Sequence, residues 1–277
     1  MAASNSINET TTGICGFTGT AFTGTPVTNH AVIIGGATSS TLTNVSLSNQ
    51  QFLAGNTSAD PSSKAISVVI QTFTSNGTYT PTSGMLYCII ECLGGGAAGG
   101  GAATTGAGQY SAGSGGSAGC YARSSVSAAT IGASQTVTIG AGGTGVSGTT
   151  GNNGGDTSVG SIVIAKGGAG GNTGAAGPTS SATSPAGPTG STGTFTSRGQ
   201  RGMYGYGQFG GIQAGGSGGN SSFGAGGTAL LDSTGAGGTA IVYGSGGGGG
   251  FNIAIQAETA GGAGSNGLVI ITEYVLS

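Results

Sequence analysis

MLYCIIECLGGGAAGGG, residues 85–101, sets the two ingredients of the fold side by side. The first half is a near-continuous apolar run with two isoleucines and a tyrosine. Its length falls short of the ~20 residues of a membrane span and suits a strand buried on both faces. The second half is glycine and alanine alone. Glycine loses more backbone freedom on folding than any other residue. An ordered tract of it must recover that loss from hydrogen bonds between closely approaching backbones.

Moving outward, the same apolar signature returns at the far end as GLVIITEYV (267–275). The simplest closure pairs these two strands, with the glycine-rich material inserted between them. Within that insertion the strand candidates are CYARSSV (120–126), QTVTIG (135–140), TSVGSIVIAKG (157–167), GTAIVYG (238–244) and FNIAI (251–255). Ahead of the apolar strand, SVVIQTFTSNGTYTP (67–81) alternates β-branched and aromatic residues around an Asn76-Gly77 turn signal. In GNTGAAGPT (171–179) and GPTGSTGTF (187–195), glycine recurs at every third residue. A three-residue turn places such glycines on one edge, so the expectation is a bundle of short polyglycine-II helices. The period does not persist as it does in collagen.

Composition narrows the function. The chain has 66 glycines in 277 residues, and only 4% of residues are charged, against ~25% for an ordinary soluble domain. Five Lys+Arg against seven Asp+Glu leave no basic footprint for nucleic acid and no polybasic patch for anionic lipid. Disordered chains combine low hydrophobicity with high net charge; here apolar residues make up 35% and the net charge is −2. Cys15, Cys88, Cys92 and Cys120 form no CxxC pair, and His30 is the single histidine. Reduced thiols in a core are expected, and neither a metal nor a cofactor.

The N-terminus, MAASNSINETTTG, has no charged n-region and no apolar h-region. No signal peptide is expected, and an extracellular role would need another exit, such as cell lysis. Residues 1 to about 28 read as an irregular or thin β stalk. NHAVIIGGATSSTLTNVSLS (29–48) then aligns without gaps to NQQFLAGNTSADPSSKAISV (49–68) as a twenty-residue repeat. Each unit reads as strand, turn, polar stretch and strand, and cannot bury its apolar face alone. The expected domains are therefore 1–68, a β stalk or shaft, and 69–277, a glycine-rich β tip domain.

A catalytic reading fails on inventory. General acid–base chemistry needs a histidine or paired carboxylates. The carboxylates Glu9, Asp60, Glu91, Asp156, Asp232, Glu258 and Glu273 are scattered, and Glu91 and Glu273 read as outer-face markers of the two apolar strands. Lys64 and Lys166 are followed by alanine and glycine, so no phosphate loop exists. The protein is expected not to be an enzyme. The positive signal is RGQRGMYGYGQFGGIQ (198–213), with Arg198, Arg201, Tyr204, Tyr206 and Phe209 spaced by glycine. Aromatic faces stack on sugar rings, and arginine donates paired hydrogen bonds to acidic groups. Phe223 and Phe251, each beside glycine, and Tyr110 in GQYSAG (108–113) are weaker candidates for the same surface.

QTFTSNGTYTPTSGMLYCIIECLGGGAAGGG, GCYARSSVSAATIGASQTVTIGAGG and the terminal GSNGLVIITEY resemble the glycine-rich C-terminal domain of phage and prophage tail-fibre proteins, over roughly residues 70–277. The repeat at 29–68 looks like the shaft repeats that precede such tips. The resemblance implies an all-β fold: a short trimeric β shaft followed by a jelly-roll-like β-sandwich with inserted polyglycine-II or glycine-rich loops. It implies a homotrimeric fibre tip or adhesin, joined to a proximal fibre protein, that binds a glycan or outer-membrane protein on a host or prey cell. The alternative is a purely structural fibre connector. Either would lie outside the cell, in a virion tail fibre or a bacterial surface fibre, without nucleic acid and not embedded in a membrane.

Overall fold

The computed structural model describes residues 31–35, 42–48, 51–56 and 59–277. The proposed stalk at 1–28 lies outside the described residues, as do Cys15 and His30. The chain divides into two units, residues 1–67 with 275–277, and residues 68–274.

In the first unit both copies of the repeat form antiparallel hairpins. Ala31–Gly35 pairs with Leu42–Ser46, and Gln51–Asn56 pairs with the beginning of the long strand Ala59–Phe73. The two hairpins are not in the same register. Ala31 faces Ser46, whereas Gln51 faces Ala65 instead of Ile66, and the second ladder shifts between Ala54 and Asn56. The backbones of Ala65 and Ser277 exchange two hydrogen bonds, at 3.2 and 3.0 Å, which tie down the C-terminus.

The second unit is almost wholly β. Phe195–Ser197, Tyr121–Ser127, Met85–Leu93, Leu268–Leu276 and the 68–73 part of the long strand lie side by side in that order. The apolar strand Met85–Leu93 and the closing strand Leu268–Leu276 are thus neighbours, as their mirrored sequences suggest. Leu93 lies beside Gly267 while Tyr87 stacks on Tyr274 with ring centroids 4.5 Å apart, so the two run antiparallel. A second, four-stranded antiparallel sheet joins Val163–Ala165, Thr157–Val159, Gln135–Thr138 and Gly77–Tyr79, and packs on the first. Between the sheets lie Cys88, Ile90, Cys92, Val137, Val159, Val163, Val269 and Ile271, all fully buried. A single helical turn, Ala128–Ile131, is capped by the Ser127 hydroxyl and buries Ile131.

Several elements differ from the sequence reading. Met85–Leu93 buries one face, not both; Tyr87, Ile89 and Glu91 stay partly exposed on the other. TSVGSIVIAKG folds as two strands around Gly160, which takes φ +52°, a conformation a side chain rarely adopts. FNIAI stops after Asn252, and Ile255 turns the chain with φ +58°. GTAIVYG is not a strand. Its amides bond to separate tracts, Gly238 to Thr228 and Ala240 to Ala263, so no single ladder can form.

Glu273 corrects the outer-face reading. It lies on the inner face at 0% exposure. Its carboxylate accepts from the Tyr79 hydroxyl at 2.7 Å, the Thr82 amide at 3.1 Å, the Thr82 hydroxyl at 2.5 Å and the Gln71 side chain at 3.3 Å. The TYTPT segment therefore straps the start of the unit to its last strand. Burial pushes the Glu273 carboxyl upward, but the hydrogen bonds from Thr82, Tyr79 and Gln71 outweigh it and hold the group below its usual range. Burial and the bond to Glu273 raise Tyr79 in turn.

The glycine tracts form the rest of the unit through a regular scheme. Gly94, Ala97 and Gly100 donate to the carbonyls of Cys120, Ser117 and Ser114. Gly95, Ala98 and Gly101 donate to Gly155, Asn152 and Thr149, and Gly96, Gly99 and Ala102 donate to Ser265, Gly262 and Thr259. Successive residues thus turn to three different antiparallel neighbours, and the pattern repeats every third residue. The carbonyls point to three further tracts: Gly95 and Ala98 accept from Gly168 and Gly171, Ala97 and Gly100 from Gly247 and Gly250, and Gly96 from Gly143. Tract 94–102 is therefore enclosed by six others. The approach is too close for side chains. A Cβ added at Gly99 would sit 2.0 Å from the carbonyl oxygen of Gly248.

Candidate functional site

The segment 198–213 is built on this glycine scheme. Gly199, Gly202 and Gly205 recur every third residue, and their inner sides press on the backbones of Ala118, Gly115 and Gly113. The amides of Ala118 and Gly115 donate to the carbonyls of Gln200 and Met203, again three residues apart. With the glycines turned inward, the intervening residues turn outward. Arg198, Arg201 and Tyr204 share one phase of the period and all are exposed, Tyr204 at 65%. In a polyglycine-II helix, with ~3.1 Å of rise per residue, positions three apart stand ~9 Å apart.

After Tyr204 the backbone becomes a strand, Gly205–Gln208, between Thr179–Ala182 and Gln213–Ala214. The period changes from three to two. Gly205 and Gly207 face inward, and Tyr206 and Gln208 face outward, joined by a 2.5 Å hydrogen bond from the tyrosine hydroxyl to Gln208 Oε1. A Cβ on Gly207 would lie 2.8 Å from the Phe251 ring and 3.0 Å from Tyr110. Phe209 and Gly210 form the turn that follows, closed by a bond from the Gly211 amide to the Gln208 carbonyl. Gly210 takes φ +71°, which keeps Phe209 at the tip with 82% of its surface exposed.

The eight sequence candidates thus divide. Arg198, Arg201, Tyr204, Tyr206 and Phe209 lie on one continuous exposed segment. Phe223 is exposed in a separate turn, where its amide donates to the Ser221 hydroxyl at 3.1 Å. Tyr110 and Phe251 are buried with Ala112 in a small core, against which Leu230 and Ile253 pack. They support the Gly205–Gln208 strand from beneath and are not themselves on the surface. Sequence reasoning passed over Ile212 and Leu231, both exposed; Leu231 faces Ala214 across a β-bridge. Ile212 offered only an apolar residue beside glycine, which occurs too often in this chain to single it out, and Leu231 only the second leucine of a short Leu-Leu pair.

A cleft of about 270 Å³ opens beside Arg198. Pro188, Thr189, Gly190 and Ser191 line it from one loop, and Thr196, Ser197 and Arg198 from the next strand end, with Cys120 alongside. The loop is fixed. The Lys166 amide donates to the Ser191 hydroxyl at 3.1 Å, Ile164 and Thr192 exchange backbone bonds, and the Cys120 thiol donates to the Pro188 carbonyl at 3.4 Å. Lys166 is held by Asp156 at 2.7 Å, the single ion pair among the described residues. Burial pushes the Asp156 carboxyl up, but its bonds from Lys166 and Gly167 bring it below the usual range. Neither Arg198 nor Arg201 has a carboxylate partner among the described residues.

On the outer face of the larger sheet, the Tyr121 hydroxyl donates to Glu91, which stands opposite Arg123 in the ladder. Burial and this bond push the Tyr121 hydroxyl up to about 12. Cys88, Cys92 and Cys120 are free and buried, and burial pushes the Cys92 thiol up to about 12. No group of three metal-ligating side chains occurs among the described residues, and none of their helices is long and apolar enough to cross a membrane.

These features define a class of all-β domain whose antiparallel sheets are joined by hydrogen-bonded glycine tracts. A family model described as a glycine-rich domain matches residues 71–274, and the chain belongs to that family. No curated protein matches it.

Proposed function

We propose that this chain is the non-catalytic, receptor-binding end of a homotrimeric fibre, of the kind carried by phage tails or by bacterial surface fibres derived from them. In this reading residues 1–68 are a trimeric shaft joined to a proximal fibre protein. Residues 69–277 are a jelly-roll-like tip whose glycine tracts are polyglycine-II helices. The tip contacts a glycan or outer-membrane protein on a host or prey cell, outside the producing cell.

The observation that carries the reading is the exposed segment 198–209. A sequence with 4% charged residues sets two of its three arginines and three aromatic rings on one outward-facing run. Large exposed apolar groups gathered in this way mark interaction sites. The three-residue hydrogen-bond period supports the polyglycine-II assignment. Shallow contacts of this type are weak singly, and three copies per fibre raise avidity by ~10²–10⁴.

The test joins solution mass to cell binding. Light scattering is expected to give three times 25.6 kDa. Fluorescently labelled protein is expected to stain cells of a susceptible strain, and the Tyr204→Ala/Tyr206→Ala double variant to stain them at least tenfold less. A trimer that stains no strain in a broad panel points to the structural connector. A monomer overturns the trimeric shaft.

A further inference from the structure

We infer that the cleft beside Arg198 seats a carboxylate-bearing sugar unit, and that Arg201 and Tyr204 carry the same acidic glycan along the adjoining edge. This deepens the receptor-binding reading, rests on it, and names its ligand class.

Four observations converge on this placement. Arg198 lines the cleft and has no carboxylate partner among the described residues. Guanidinium presents a planar fork matched to a carboxylate, and such charge-assisted pairs are roughly twice as strong as neutral hydrogen bonds. Four of the other lining residues, Thr189, Ser191, Thr196 and Ser197, carry hydroxyls. Each can donate and accept, which suits the hydroxyls of a sugar ring. Ser191 already accepts from the Lys166 amide, so its own hydrogen is free to point at a ligand.

The cleft loop is also tied down on both sides, by the Lys166 amide on the Ser191 hydroxyl, the Thr192 bridge and the Pro188 contact. A preorganised site spares the ligand the cost of ordering it. Its volume of about 270 Å³ has room for a single sugar unit, and the cleft is open to the surface. A longer glycan must therefore leave along the surface, and the threefold period supplies the path. Arg201 and Tyr204 follow Arg198 in the same phase at ~9 Å intervals, a step comparable to a disaccharide. A second guanidinium then meets a second carboxylate, and a tyrosine face meets a ring. Neutral glycans would leave both arginines unmatched.

The experiment uses the full chain against immobilised polygalacturonate, the same polymer with its carboxyls reduced to alcohols, dextran, and a panel of neutral bacterial polysaccharides and outer-membrane vesicles. Polygalacturonate is expected to bind, and the carboxyl-reduced polymer and dextran to bind at least tenfold more weakly. Arg198→Gln and Arg201→Gln are each expected to weaken polygalacturonate binding about tenfold with an unchanged melting temperature, and Arg198→Lys to restore part of it. Uronate binding that both glutamine variants retain would overturn the site. Binding confined to neutral polysaccharides or vesicles, unchanged in Arg198→Gln, would overturn the acidic ligand and leave the receptor reading standing. Binding to none of the probes would overturn both.

Discussion

Glu273 is the residue on which the ends of the second unit converge. A buried carboxylate is tolerated only when its lone pairs are filled, and here Tyr79, Thr82 and Gln71 fill them. Its folded pKa lies below the ordinary 4.5, so its contribution is present above that value and is lost as pH falls through the lower, folded one. Denaturant titrations between pH 3 and 7 are therefore expected to show stability dropping below pH ~4.5. In Glu273→Gln that acid-side drop should flatten, with stability at pH 7 lower by about 2 kcal/mol. Tyr79→Phe removes one donor from the same carboxylate and is expected to cost about 1.5–3 kcal/mol at pH 7. The sequence placed Glu273 on the outer face because alternation tells which residues share a face, not which face is inside. Its inward orientation depends on Tyr79 and Thr82, almost two hundred residues away. Buried Phe251 and Tyr110 were unreadable for a related reason. A lone aromatic in a glycine-rich stretch can project outward or fill the hollow that a glycine elsewhere leaves, and Gly207 leaves that hollow here.

At the level of elements, apolar strands were the legible part and glycine tracts the illegible one. Met85–Leu93 and Leu268–Leu276 stand out by composition and pair as neighbours. GTAIVYG has equally strand-like residues and forms none, because glycine on both sides lets its amides reach separate tracts. The tracts themselves obey a steric rule that predicts opposite outcomes for one substitution. Gly99→Ala would drive a methyl to 2.0 Å from the Gly248 carbonyl, and is expected to destabilise by more than about 3 kcal/mol or prevent folding. At Gly235 the nearest atom to an added Cβ is 3.6 Å away on the flexible Leu230 side chain. Gly235→Ala is expected to change stability by less than about 1 kcal/mol, with a gain possible through the unfolded chain. Thermal melts of the two variants make the comparison direct.

Across the whole molecule, stability comes from main-chain pairing between segments far apart in sequence. Tract 94–102 bonds to chain that follows it by as many as 169 residues, as in the Gly96–Ser265 pair at 2.8 Å. Such a lattice cannot form piecemeal, since each tract needs several others in place. Hydrogen exchange should register this. Amides of Gly95–Gly100 and Gly247–Gly249 are expected to exchange as slowly as those of Val269–Ile271 in the central sheet, although no strand or helix covers them. Fast exchange there would mean that the tracts open independently of the sheets. Long-range pairing of this kind also slows folding, so refolding is expected to be slow.

The row of glycines at 199, 202 and 205 has a consequence for variation. Contacts with the interior are made by positions that have no side chain to change, while Gln200, Arg201, Met203 and Tyr204 face outward. Chemistry and architecture are thus written in separate letters of the same stretch. A lineage under pressure to meet a new surface can rewrite two residues in every three and leave the frame intact, whereas one methyl on the third letter strikes the backbone beneath it.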